Sequence, residues 1–310
     1  MKKRILSIVL ASLLLLSAFL MAGCSKKAAN TELTLYEGEY SEVTLAHYLV
    51  KYLVEDHTDL TVQVKDQMSL TNQFKETTSD DPSCDLHLNY DGTLLGAWLQ
   101  EDVASVPDDV NLYDYVKAGI QEKYGAELLG KLGLNNTYAI AVMPQTAETY
   151  GLSKCSDLVA VAPQLTFGAE SNFFAQEFTD RYWSFVEYYG IQFANYSSID
   201  INLKYTALAN GNFDVSEVYT TDGLNRKYDL VILEDDLGFF PEYNGVFVAR
   251  KGLFEDYAES APNLREVLEM LTGAVSSDDM AGMTYAVDVE EQSPADVAQK
   301  FLTEKGLIAS

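Results

Sequence analysis

Enzyme chemistry at a protein surface demands residue patterns that this sequence lacks. There are three histidines, His47, His57 and His87, scattered among acidic and apolar residues with no serine or cysteine partner in evident register. No Gly-x-Ser-x-Gly elbow, no His-Glu-x-x-His and no phosphate-cradling glycine loop occurs. No Cys-x-x-Cys or Cys/His spacing suggests zinc. Acidic pairs at Asp80-Asp81, Asp108-Asp109, Asp235-Asp236 and Asp278-Asp279 lack the loop spacing of a calcium cage and read as solvated turns and helix starts. His87 alternates with leucines in Asp85-Leu86-His87-Leu88-Asn89, which predicts a partly exposed strand position. Neither catalytic residues, a metal nor a cofactor is expected.

Tyrosine is where binding chemistry concentrates. There are 20, against 14 Phe and 2 Trp. Several stand beside Gly, Asp, Asn or Pro at the ends of predicted strands. They occur in Asn89-Tyr90-Asp91-Gly92-Thr93, Asn135-Asn136-Thr137-Tyr138, Val218-Tyr219-Thr220-Thr221-Asp222-Gly223 and Phe240-Pro241-Glu242-Tyr243-Asn244-Gly245. Open α/β sheets bind ligands beyond the carboxyl ends of their strands. Aromatic faces gathered there attract a cation that cannot donate hydrogen bonds, such as a quaternary ammonium. The same residues also fit plain packing at core edges, and spacing alone leaves both roles open.

The elements that would hold these tyrosines read as α/β. Leu33-Thr34-Leu35 alternates as a strand, and Ser41 is placed to cap a helix with Glu42 in its first turn. Leu45, Tyr48, Leu49, Tyr52 and Leu53 keep helical spacing, and Leu60, Val62 and Val64 alternate again. Such a β-α-β start favours parallel sheets flanked by helices. Further strands are predicted over 138–143, 165–169 and 213–219, and Leu230–Leu233 reads as a buried parallel strand. Leu264, Val267, Leu268 and Leu271 predict a helix. Ser293-Pro294 opens a last one, with Val297, Ala298, Phe301 and Leu302 as its buried stripe and Gly306 as its stop. There is no internal repeat.

Length and charge narrow the class further. A chain of 310 residues with 47% hydrophobic and 12% aromatic residues can bury a large core, which excludes wholesale disorder. Lys+Arg 21 against Asp+Glu 47 gives a net charge of −26, the opposite of a nucleic-acid footprint. At the N-terminus, Lys2, Lys3 and Arg4 precede an apolar run from Ile5 to Leu20 and then Met21-Ala22-Gly23-Cys24. This resembles a bacterial lipoprotein signal, with cleavage after residue 23 and lipid on Cys24. Residues 24–31 then read as a lipidated tether, and the mature chain keeps 18 basic against 47 acidic residues, a charge of −29. Cys84 and Cys155 remain, and the sequence alone leaves both a bridge and two free thiols open.

From about Asp85 to Ile308 the chain resembles the substrate-binding lipoproteins of ABC importers for choline, glycine betaine and carnitine. The resemblance is carried by Asp85–Thr93, Leu132-Gly133-Leu134-Asn135-Asn136-Thr137-Tyr138-Ala139 and Val161–Ala169. It continues in Tyr205–Gly211, Thr220-Thr221-Asp222-Gly223, Leu233-Glu234-Asp235-Asp236 and Phe239-Phe240-Pro241. It implies a type II periplasmic-binding-protein fold: two lobes, each a mixed sheet flanked by helices, joined by two crossovers. Lobe I would hold residues 32–135 and 240–310, and lobe II residues 136–239; Cys84 and Cys155 would then fall in different lobes, where a bridge would hamper closure, so two free thiols are expected. It implies an aromatic cage around a trimethylammonium group, carried here by Tyr90, Tyr138, Tyr219 and Tyr243 and completed by hinge closure.

Departures from the family pattern bear on the other end of the ligand. Gln176 stands where an Arg often grips a betaine carboxylate, Gly38 where a Lys is common, and Asp91 replaces a Thr. Thr93, Gln176 and Asp91 are therefore expected tail contacts, and the loss of positive charge favours choline, unless Arg181 restores a carboxylate site. The expected protein is a monomeric, lipid-anchored receptor on the extracytoplasmic face of a bacterial membrane, handing its ligand to an ABC permease. The alternatives are a receptor of the same fold for another betaine-like amino-acid derivative, and an envelope hydrolase, for which no nucleophile–base pair is present.

Overall fold

The computed structural model describes residues 30–107, 109–176, 181–201 and 203–309. The leader, Cys24, most of the tether and Asp108 lie outside the described residues. Among those described, no helix is long and apolar enough to cross a membrane.

The chain begins with β1 (Glu32–Tyr36), α1 (Ser41–His57) and β2 (Thr61–Lys65), and β1 and β2 pair in parallel as expected of a β-α-β unit. Next come α2 (Leu70–Thr77), β3 (Leu86–Tyr90), a helical turn Asp91–Thr93 that widens into Leu94–Leu99, α3 (Leu112–Tyr124) and β4 (Glu127–Leu128). The five-stranded sheet then takes β5 (Tyr138–Val142), β6 (Thr166–Glu170), β7 (Asn195–Ile199), β8 (Val215–Tyr219) and β9 (Val231–Leu233), in the order β7-β6-β8-β5-β9. Between its strands run α4 (Pro144–Tyr150), α5 (Tyr182–Tyr189) and α6 (Lys204–Ala209). The chain returns as β10 (Gly245–Ala249), which inserts antiparallel between β3 and β4, and ends in α7 (Leu264–Glu269), α8 (Ser277–Asp288) and α9 (Pro294–Glu304).

Every strand of the large sheet thus lies between residues 138 and 233, and strands from both sides of that stretch share the three-stranded sheet. The chain crosses from one body to the other and back, and the two crossing segments touch. Asn135 bridges Asn244, the Asn136 N–H donates to Tyr243 O at 3.0 Å, and the Thr137 hydroxyl donates to Pro241 O at 2.8 Å.

Both bodies are packed from two sides. The β3–β10–β4 sheet is covered on one face by Leu45, Leu49, Leu268, Phe301 and Leu302 from the helices, and on the other by Phe74, Val116 and Ile120. The five residues of β3 are consequently all buried, which corrects the reading of His87 as partly exposed. Burial pushes His87 down to about 3, so the ring stays neutral, bonded to Thr77 Oγ1 at 2.9 Å. The buried stripe of α9 is the one the spacing predicted, and Gly306 follows it at φ +68°.

Three local expectations fail for identifiable reasons. Ser41 does not cap α1; Tyr40 occupies the cap position, and Ser41 Oγ donates to Asp288 Oδ2 at 2.7 Å. Nor is β9 a buried parallel strand. It pairs only with β5, antiparallel, at the sheet's edge, where Ile232 is exposed. Continuous apolar runs mark burial only when packed layers cover both faces of the strand. Asp235, expected in a solvated turn, accepts from Phe239 N at 2.9 Å and Phe240 N at 2.8 Å and so ties down the second crossing.

Candidate functional site

The strand register sets two tyrosines side by side. Tyr138 opens β5 and Tyr219 closes β8, and because these strands are antiparallel the two residues are direct partners. Their ring centroids lie 5.2 Å apart at 35°. Phe173 backs Tyr138 at 5.3 Å, which fixes its plane. On the other body, Tyr90 closes β3 opposite Gly245, the first residue of β10. Tyr243 comes just before that strand, held by its N–H donating to Asn135 Oδ1 at 2.7 Å.

Tyr90, Thr93, Tyr138, Tyr219 and Tyr243 line one cavity of about 920 Å³. The remaining wall includes Tyr40, Asn136, Arg181, Glu101 and Asp102. The space suits a small solute. Gly92 is part of the wall because the Tyr243 ring lies across it: a Cβ there would stand 2.9 Å from Tyr243 Cδ1 and Cε1.

Two of the expected tail contacts are not on this wall. Gln176 is exposed and does not line the cavity. Asp91 is fully buried, and its carboxylate accepts from Asn244 N at 2.8 Å, Asn244 Nδ2 at 2.7 Å and Gly92 N at 2.8 Å. Burial pushes Asp91 up to about 6. It clasps the Asn244 segment to the end of β3 rather than facing a ligand. Gly38 is likewise off the wall, its N–H bonded to Thr44 Oγ1 at 3.0 Å.

Arg181, in contrast, reaches the wall. It is 8% exposed, and its guanidinium carbon lies 4.4 Å from the Tyr138 ring centroid. Sequence reasoning placed Arg181 only as an alternative, since no motif surrounds it. Tyr40 and Asn136 were not singled out at all, although Asn136 stands inside the motif that yielded Tyr138.

The hydroxyls of Tyr90 and Tyr219 are anchored to carboxylates that no spacing in the sequence connects with them. The Tyr90 hydroxyl donates to Glu42 of α1, which also accepts from Asn136 Nδ2 at 3.2 Å. The Tyr219 hydroxyl donates to Glu170 Oε1 at 2.9 Å. Burial raises Glu42 above the usual carboxylate range and pushes Tyr138 up to about 12. The tyrosines therefore remain neutral rings with fixed hydroxyls, which is the form that presents a π face to a cation. Nothing in the wall pairs a nucleophile with a base.

Comparison with known proteins gives this arrangement a context. A family model described as the substrate-binding domain of ABC-type glycine betaine transport systems matches residues 31–304. The carnitine transport binding protein OpuCC of Listeria monocytogenes is 29% identical over 306 residues, 97% of each chain. The ergothioneine transport permease/ergothioneine binding protein EgtU of Helicobacter pylori is 32% identical over 223 residues, which is 72% of this chain but 38% of that longer protein. Among solved structures, one described as a glycine betaine/carnitine/choline ABC transporter superposes with a TM-score of 0.80 at 28% identity, over 90% of this chain and 99% of that one. Lactococcal OpuAC in its closed, glycine betaine-bound conformation shares the fold at 16% identity and a TM-score of 0.53, over 89% of this chain and 97% of that one.

Proposed function

This chain belongs to the family of substrate-binding domains of ABC-type glycine betaine transport systems, and from that membership we propose that it captures a trimethylammonium solute in a cage of Tyr90, Tyr138, Tyr219 and Tyr243 for delivery to an ABC permease. Its relatives are transport proteins, so it is a binding protein and not an enzyme, and importers of this kind take their solute from the extracytoplasmic side. The observation that carries the reading is the convergence of four tyrosines, from four separate stretches of sequence, on one cavity. A desolvated cation–π contact contributes about 1–2 kcal/mol. Four of them offset enough of the entropy of capture to reach micromolar affinity, roughly −8 kcal/mol.

The tail of the ligand is read from the rest of the wall. Arg181 supports a carboxylate, because a guanidinium on the wall pairs bidentately with one. The preferred ligand on this reading is a zwitterion such as glycine betaine, carnitine or a betaine-like amino-acid derivative. The charge argument for choline loses Gln176 and Asp91, which lie off the wall, but keeps one observation: Glu101 and Asp102 line the cavity. Choline is the second reading for that reason.

We place lobe I at 32–135 and 240–310 and lobe II at 136–239, with closure completing the cage. The leader 1–23 and lipidated Cys24 belong to the same proposal, as does a monomeric receptor held at the membrane. A thermal-shift panel of glycine betaine, carnitine, choline, proline betaine and ergothioneine on the purified protein tests the ligand class. A ligand of the folded state raises the melting temperature with the logarithm of its excess over Kd. No shift from any of the five would refute the reading.

A further inference from the structure

Behind the Tyr219 ring lies a buried cluster that the cage alone does not require. Lys204 of α6 is 1% exposed, and its Nζ sits 4.3 Å from the Tyr219 ring centroid. It is not part of the cavity wall, so it covers the side of the ring turned away from the solute. Two carboxylates surround it: Glu217 Oε1 at 2.6 Å and Glu170 Oε2 at 3.4 Å. Glu217 is fully buried and Glu170 nearly so.

We propose that Glu170 is a positioning residue of the cation site, which fixes the Tyr219 ring by accepting its hydroxyl and supplies the negative charge that strengthens that ring's pull on a cation. The proposal rests on the cage reading. A lone ammonium against a cage ring would weaken that ring's pull on a cationic solute. The cluster avoids this above pH 7, where Glu217, pushed up to about 7 by burial, is ionised and two carboxylates face one ammonium. Glu217 makes the tight pair with Lys204, and Glu217 Oε2 has no hydrogen-bond partner. Glu170 lies farther from Lys204 and spends its other oxygen, Oε1, on the Tyr219 hydroxyl at 2.9 Å. The charge left over after the ion pair therefore sits on the group bonded to the cage. A hydrogen bond to a carboxylate polarises the phenol toward phenolate and enriches its π face. At the low effective dielectric of a buried site that charge acts over the width of one ring.

The test separates charge from shape. Glycine betaine and 3,3-dimethylbutanoate differ only in nitrogen against carbon, and so do choline and 3,3-dimethylbutan-1-ol. Calorimetry on the parent protein, Glu170→Gln and Glu217→Gln gives the affinity ratio of each cation to its carbon isostere. Glu170→Gln keeps an acceptor for the Tyr219 hydroxyl while removing the charge. Glu217→Gln leaves Glu170 in place but gives it sole charge of Lys204, so it tests the same idea without touching the bonded residue. The ratio is expected to fall roughly tenfold in both variants, while the affinity for the isosteres changes less than about twofold. Equal losses for cation and isostere would reduce Glu170 to a structural prop and overturn the proposal, as would ratios unchanged from the parent. A parent protein that prefers neither cation to its isostere would overturn the cage reading itself, and this inference with it.

Discussion

A tyrosine ring contributes to a cation site mainly through its face, while its hydroxyl aims the ring and, where it donates to a carboxylate, enriches that face. Replacing Tyr90, Tyr138, Tyr219 or Tyr243 with Ala is therefore expected to weaken solute binding roughly tenfold or more per ring, at about 1–2 kcal/mol each. Phe at the same positions keeps the face and costs less, with Tyr219→Phe losing the Glu170 contact as well. Calorimetry that finds all four Ala variants equal to the parent would remove the cage. Arg181 makes a sharper prediction. Arg181→Gln should weaken glycine betaine by about tenfold or more and leave choline within a few-fold, since only the first has a carboxylate to lose. A uniform loss would show that Arg181 merely supports the Tyr138 ring it lies over. At this scale the sequence was readable where motifs end strands. It misled at Asp91, which is adjacent to Tyr90 in the chain, because successive residues leaving a strand project to opposite sides. Tyr90 faces the solute cavity, and Asp91 turns to Asn244.

Elements position these side chains through a few close approaches. Gly92 is one, since the Tyr243 ring occupies the space a Cβ would need. Gly92→Ala is expected to displace that ring and also the Glu242 carbonyl, whose oxygen lies 2.9 Å from the same Cβ, lowering affinity by about as much as Tyr243→Ala and lowering thermal stability too; unchanged affinity would show that Tyr243 is not held there. His47 of α1 is another. It links three elements, bonding Tyr36 O through Nδ1 and accepting the Leu88 N–H on Nε2 at 2.8 Å. Burial pushes it from 6.5 down to about 4, so the folded protein holds it neutral while the unfolded chain takes a proton. Its contribution is present above pH 6.5 and is lost as pH falls toward 4, about 3 kcal/mol in all. Denaturant unfolding across that window should show the parent losing stability faster than His47→Gln. Parallel pH profiles would contradict the assignment. The β-α-β start and the last helix were legible because hydrophobic spacing reports which face is buried. The insertion of β10 beside β3 was not, because pairing across 150 residues leaves no local periodicity to read.

At the scale of the whole molecule, the cavity is lined by both bodies because the chain crosses from the three-stranded sheet to the five-stranded sheet and returns. Tyr90 and Tyr243 come from one side of the crossing, Tyr138 and Tyr219 from the other, and the two crossing segments touch at Asn135 and Asn244; on the proposed reading these segments are the pivot. Cys84 and Cys155 are both free and buried, one on each side. Burial pushes both thiols up to about 12, so they are unreactive while folded. Titration of denatured, unreduced protein should count both thiols, and a count of none would be incompatible with lobes that close. The crystal structure of the protein with glycine betaine tests the central claim most directly. The account predicts the trimethylammonium nitrogen within about 6 Å of the ring centroids of Tyr90, Tyr138, Tyr219 and Tyr243, with the carboxylate turned toward Arg181. A nitrogen bound away from those four rings would contradict it.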